Sequence, residues 1–255
     1  MSKNSDLGKR LVVAVVLIAV AFAALWFGGF VFWLLVAIGG VLMIGEWAGL
    51  SDASPGQKRL SQYVLTVPLA ILAPIAAGPS FLALGLIVAG TFFLGAVTRK
   101  TQLALGMLYV GLPVLGLLVL RSHPQGFLLT LWAMALVWAS DSGAYFAGRA
   151  IGGPKLAPAI SPNKTWAGFF GGLVASGVFA AILVVAFGLP VILALFTPLL
   201  AVLSQIGDLY ESHLKRRAGV KDSGNLLPGH GGVLDRLDGL VAVAPVAAVL
   251  VLAFA

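Results

Sequence analysis

The chain has 255 residues, 60% of them hydrophobic and only 10% charged, with a mean hydropathy of +1.05. Soluble domains carry about 45–50% apolar and about 25% charged residues, so a water-facing globule is excluded, as are a disordered chain, a coiled coil and, with no cysteine, a disulfide scaffold. The formal charge of +7 would suit nucleic acid in a soluble protein, but Lys and Arg at the cytoplasmic ends of membrane spans account for it, and no nucleic-acid partner is expected.

A helix needs about 20 apolar residues to cross the hydrocarbon core, within a range of about 17–25. Nine stretches qualify, near 11–27, 30–50, 62–78, 80–98, 103–120, 126–140, 166–188, 190–209 and 239–255. The expected fold is therefore an all-α, polytopic integral membrane protein of about nine transmembrane helices. The first stretch follows Lys9-Arg10 as a signal peptide would, yet no convincing small-residue cleavage site precedes the apolar run from Phe30, so it reads as a retained span. With the N-terminus in the cytoplasm, 15 of the 16 basic residues fall on the inside and only Arg121 lies outside. That asymmetry sets the orientation. It also supports the odd span count and makes this a multi-pass protein of the cell's inner membrane.

Polar content divides the chain into two regions. Residues 1–140 form an N-terminal membrane region of about six spans, and 141–255 a catalytic region of about three, interrupted by polar segments near 141–165 and 210–238. Six of the nine acidic residues fall in or beside those segments. Ionisable groups at membrane depth are expensive, so function is sought there.

Asp208 and Glu211 are three apart at the end of the eighth stretch, and Asp235 and Asp238 are three apart at the start of the ninth. Each pair shares one helix face. Hard oxygen ligands, without cysteine and with scarce histidine, favour Mg²⁺, Mn²⁺ or Ca²⁺ over zinc. Ion pairs with Lys215, Arg216, Arg217 and Arg236 are the competing reading of the same acids. Lys215-Arg216-Arg217 with Lys221 likewise reads either as a cluster against anionic lipid or as a phosphate site. Glycines at 224, 229, 231 and 232 would let backbone N–H groups approach a ligand.

The first polar segment begins with Asp141, with Tyr145 one turn on if the helix continues. Ser161-Pro162-Asn163-Lys164-Thr165-Trp166 has a capping Ser followed by Pro, which predicts a helix start at Ser161 and an anion site strengthened by Lys164. A plain cap beside an interfacial Trp is the simpler alternative. Gly148 to Lys155 lacks the spacing and ending of a P-loop. Glu46 lies about one turn from the cytoplasmic end of the second stretch, where snorkelling and function are equally compatible with its position. Gly168 and Gly172 form a GxxxG face suited to helix packing, within the chain or in a homodimer. His123 falls outside and looks incidental. His213 and His230 lie near the polar cluster, and His230, between glycines, would shape the turn or donate to phosphate.

The run from Ser212 to Asp238, with Lys215-Arg216, Lys221-Asp222 and Leu227-Pro228-Gly229-His230-Gly231-Gly232-Val233-Leu234-Asp235-Arg236-Leu237-Asp238, resembles the signature of the phosphatidate cytidylyltransferases, or CDP-diacylglycerol synthases. Asp141 to Gly148 and Ile160 to Trp166, with Gly168, Gly171 and Gly172, resemble the same family; Gly239 stands where many members have Ser. The first half of the chain resembles it only in span pattern. The resemblance implies transfer of CMP from CTP to phosphatidate with release of pyrophosphate, and a requirement for Mg²⁺, as one metal ion or two. It points to Asp208, Asp235 and Asp238, then Asp141, as metal candidates. Lys164, Lys215, Arg216, Lys221 and Arg236 become phosphate holders, with Ser161, Asn163 and Thr165 beside Lys164, and Asp222 either a ligand or an orienter of Lys221. CTP, phosphatidate and membrane lipid are the implied partners. A CTP-dependent polyprenol kinase, an ether-lipid cytidylyltransferase and a transporter of an anionic solute are the competing functions, the last disfavoured because the ionisable groups lie at span ends and not near the midplane.

Overall fold

The computed structural model describes residues 3–227, 229 and 231–255, with side chains at residue 13 and from residue 15 onward. His230 therefore lies outside the described residues. Along the chain run α1 (Lys3–Phe27), α2 (Gly29–Leu50), α3 (Pro55–Ile71), α4 (Phe81–Thr98), α5 (Thr101–Ser122), α6 (Gly126–Ile151), β1 (Lys155–Ala157), β2 (Ser161–Thr165), α7 (Trp166–Phe187), α8 (Val191–Arg217) and α9 (Leu234–Phe254). Among the described residues, seven of these helices, α2 and α4 to α9, are long and apolar enough to cross a membrane. The protein is an all-α multi-pass membrane protein.

Helices α1, α8 and α9 reach beyond their expected spans, α8 as far as Arg217, and three further elements differ for reasons the structure shows. Helix α3 begins at Pro55, seven residues before the expected span, because Ser54 accepts from the Gln57 N–H and Gln57 returns a bond to the Ser54 N–H in a capping box. Helix α6 runs to Ile151, well past the expected end at 140, and carries Asp141 and Tyr145 within it. No helix starts at Ser161: residues 161–165 form β2, antiparallel to β1, and Thr165 is the residue that caps α7 by accepting from the Gly168 N–H at 3.1 Å. Pro162 is tolerated because a two-stranded ribbon has only edge strands.

The chain forms two compact units. One comprises residues 3–118 with 218–237. In it α2 packs on α3 and α3 on α4, and the buried Trp47 donates through Nε1 to the Gln102 carbonyl at 2.8 Å while stacking on Tyr109. A Cβ on Gly106 would fall 2.3 Å from the Trp47 ring, so only glycine lets α5 approach there.

The second unit comprises residues 119–217 with 238–255. Its centre is the pairing of α6 with α7, packed so closely that a Cβ on Gly171 would lie 2.2 Å from the Ala147 Cβ and one on Gly168 would lie 2.8 Å from the Ala144 carbonyl oxygen. A Cβ on Gly172 would meet the Ser140 carbonyl oxygen at 2.9 Å. The Gly168–Gly172 face is thus used inside the chain, and a homodimer would need a different surface. Trp132 donates to the Thr197 hydroxyl at 2.9 Å, joining α6 to α8. Large apolar side chains such as Val174, Val185 and Leu195 stand exposed in this unit, as Phe81 and Phe92 do in the first. Apolar surface of that extent is stable against lipid and not against water.

Candidate active site

In the second unit, four elements bring ionisable groups to one place. Lys164 on β2 pairs with Asp208 on α8, Nζ to Oδ2 at 2.6 Å, with both side chains partly exposed. The Ser212 hydroxyl donates to the other oxygen of Asp208 at 3.3 Å. Asp141 on α6 lies within electrostatic range of Asp208 and Lys164, and Asp238 on α9 within range of Asp208, Asp141 and Lys215. The Asp238 carboxylate also accepts from the Gly239 N–H at 2.7 Å.

Small residues make this convergence possible. A Cβ on Gly207 would sit 2.7 Å from the Asp238 carbonyl oxygen, and one on Gly239 would sit 2.3 Å from the Ser204 hydroxyl, so glycines on both helices let α8 and α9 close up beside Asp208 and Asp238. Gly239, noted in the sequence as a departure from the usual Ser, is one of them. Below the cluster Glu211 is fully buried, and Lys215 reaches it across one helical turn at 3.2 Å. Buried carboxylates are retained only with such partners. Glu211 therefore takes the ion-pair reading of the sequence.

Thr165 is buried as the α7 cap, whereas Ser161 and Asn163 occupy β2 beside Lys164. Alternation along a strand sends Asn163 and Lys164 to opposite faces. Tyr145 accepts from the Arg149 guanidinium at 2.8 Å, one turn along α6. Among the described residues, no three acidic or histidine side chains converge closely enough to form a metal cage by themselves.

The segment 218–237 belongs to the first unit and has its own acidic cluster. Asp235 Oδ2 accepts three hydrogen bonds, from the Ser223 N–H at 2.8 Å, the Ser223 hydroxyl at 2.9 Å and the Gly232 N–H at 2.7 Å. Glu46 on α2 accepts from the Val233 and Leu234 N–H groups at 2.9 and 2.8 Å and from the Ser223 hydroxyl at 3.1 Å. The glycines serve these carboxylates: a Cβ on Gly224 would lie 2.8 Å from Glu46, one on Gly232 2.5 Å from Glu46, and one on Gly231 2.6 Å from Asp235. Gly231 also holds a positive φ of 81° and accepts from the Leu227 N–H. The expectation that these glycines free N–H groups for a ligand thus meets a different use, since the N–H groups of 232, 233 and 234 point at protein carboxylates. Lys221, Asp222 and Arg236 are exposed on this segment, and Arg216 is exposed at the end of α8. Glu46 was the residue whose role spacing left open, because its partners lie nearly the whole chain away.

An all-α membrane protein with a lysine held against carboxylates that three of its helices bring together has the makings of a phosphate-handling membrane enzyme. Residues 8–254 match the model of the cytidylyltransferase family, and the chain belongs to that family. It is 45% identical to a phosphatidate cytidylyltransferase of Brucella suis biovar 1 (strain 1330), over 94% of this chain and 91% of the relative. It is 37% identical to the enzyme of the same name from Pseudomonas aeruginosa, over 96% of each chain, and 46% identical to that of Bacillus subtilis (strain 168), over 56% of this chain and 55% of the relative.

Proposed function

We propose that this protein transfers CMP from CTP to phosphatidate, giving CDP-diacylglycerol and pyrophosphate, at the cytoplasmic face of the inner membrane. The observation that carries the reading is the Lys164–Asp208 pair at 2.6 Å, set beside Asp141, Asp238 and Lys215, in a chain of the cytidylyltransferase family. Nine spans with a cytoplasmic N-terminus agree with the distribution of Lys and Arg.

Both reactants are polyanions, so the protein must offset their repulsion and align a lipid phosphate oxygen with the α-phosphorus of CTP. As the new P–O bond forms, the bond to the bridging oxygen breaks and pyrophosphate leaves. Lys164 and Lys215 are assigned to the phosphates, as are Arg216, Lys221 and Arg236. A phosphate monoester is already largely ionised at neutral pH, so no protein base is required, and no protein nucleophile takes part. Mg²⁺ is held by one or two carboxylates together with substrate phosphates, a requirement that Asp141, Asp208 and Asp238 fit without forming a closed cage. Bound there, it would draw charge from the phosphates and stabilise the leaving pyrophosphate. We assign Asp235 to the loop and not to the metal, because Oδ2 already accepts three protein hydrogen bonds.

The test supplies purified protein in detergent with α-labelled CTP, phosphatidate and Mg²⁺. Label should enter the lipid with release of pyrophosphate, cease on chelation with EDTA and return with added Mg²⁺. Release of CDP with no label in lipid would mean a kinase instead, and uptake of an anion into proteoliposomes without CTP would mean a transporter.

A further inference from the structure

We infer that Glu46 is a positioning residue for this reaction, tying the segment that carries Lys221, Asp222 and Arg236 to helix α2. The inference rests on the cytidylyltransferase reading for its consequence in turnover, but the tether itself is a matter of geometry. The first N–H groups of a helix have no partner within the helix, and a Ser, Thr, Asp or Asn at the preceding position ordinarily supplies one. The residue preceding α9 is Val233, which has no side-chain acceptor. Its own N–H and that of Leu234 instead reach Glu46, which stands 187 positions earlier than Val233 in the chain.

Several features suit this site to a carboxylate from another helix. A negative charge at a helix N-terminus is favoured by the helix dipole, and hydrogen bonds to an ionised acceptor are about twice as strong as neutral ones. Both oxygens of Glu46 are engaged, one by Val233 and the other by Leu234 and Ser223. The Ser223 hydroxyl lies within hydrogen-bond distance of both Glu46 and Asp235, and having one proton it links the two carboxylates by donating to either. Side chains at Gly224 and Gly232 would displace the Glu46 carboxylate. With its oxygens so occupied, Glu46 touches no substrate in this scheme. Its effect comes through where the segment is held, and a displacement of about 1 Å can lower turnover about 100-fold.

The experiment compares wild type with Glu46→Gln and Ser223→Ala by steady-state kinetics, thermal melting in detergent, and the rate of tryptic cleavage after Lys221 and Arg236. Gln presents an amide NH₂ donor where Oε1 or Oε2 accepts, so at least one N–H loses its acceptor; Ala removes only the hydroxyl link and serves if Glu46→Gln does not fold. We expect Glu46→Gln to lower kcat about tenfold, assayed well below its melting midpoint, with KM for CTP changed less than about threefold. Cleavage after Lys221 should quicken about tenfold, and Ser223→Ala should shift both readouts in the same direction by less. Unchanged kcat and unchanged cleavage in the folded variants would overturn the tether. If wild type itself fails to label lipid, the proposed function falls, and the cleavage rates alone still decide whether Glu46 holds the segment.

Discussion

At the scale of single residues, the cluster around Asp208 makes sharp demands. Replacing Asp208 with Asn removes the negative charge that holds Lys164 and, on the proposed chemistry, a metal ligand. Loss of such a group lowers turnover by about 100-fold or more, so Asp208→Asn should lose lipid labelling while its melting curve in detergent stays near wild type. Full activity would sink the assignment. Lys215 has a second duty. Lys215→Met would take away the ammonium 3.2 Å from the fully buried Glu211, and breaking a buried pair costs about 3–5 kcal/mol, so a clearly lowered melting midpoint is expected in addition to weaker turnover. Residue types and spacing pointed to Asp141, Lys164, Asp208, Lys215 and Asp238, whose side chains the fold brings within electrostatic reach of one another. They were not enough to separate Asp235 from Asp238, because an i, i+3 spacing says which face two side chains share and nothing about the Ser223 and Gly232 donors that engage one of them.

At the scale of elements, the pairing of α6 with α7 governs the site, since α6 carries Asp141 and β2 leads Lys164 into α7. Gly171→Val would drive a side chain into Ala147 and the Gly143 carbonyl. Overpacking costs about 1–3 kcal/mol, and the melting midpoint and turnover should fall together. Gly85→Ala on α4, where an added Cβ meets nothing within 4 Å, should leave both unchanged or raise the midpoint slightly. Helix existence was legible from apolar runs, but helix ends were less so. The start of α3 was written in Ser54, Pro55 and Gln57, a capping signal obscured by the polar first turn that follows. Ser161-Pro162 carried a similar helix-start signal, and it was overridden because β1 offers backbone partners to that segment.

At the scale of the whole molecule, the absence of cysteine permits a clean test of orientation. Single-cysteine variants Ser122→Cys, after the expected outer Arg121, and Ala159→Cys, between the two strands, both place a thiol at an exposed position. In intact cells a membrane-impermeant maleimide should label the first and leave the second unlabelled until the membrane is opened. The opposite pattern would invert the proposed topology and put the phosphate site on the wrong side for CTP. The scarcity of charge in the chain takes on meaning at this scale, because most of what charge there is gathers at helix ends.

By itself the sequence determined the membrane class, most of the apolar helices, the candidate residues for the proposed phosphate chemistry and the resemblance to a family. Each of these depends on local composition or on a contiguous motif, which the chain states directly. Only the tertiary structure decided which acids face the Lys164 ammonium, which one is buried against Lys215, and that Glu46 completes a helix cap nearly 190 residues away. Those choices depend on close approaches between distant segments, permitted by individual glycines and completed by backbone N–H groups. Neither distance nor direction in space can be read from the order of residues along the chain.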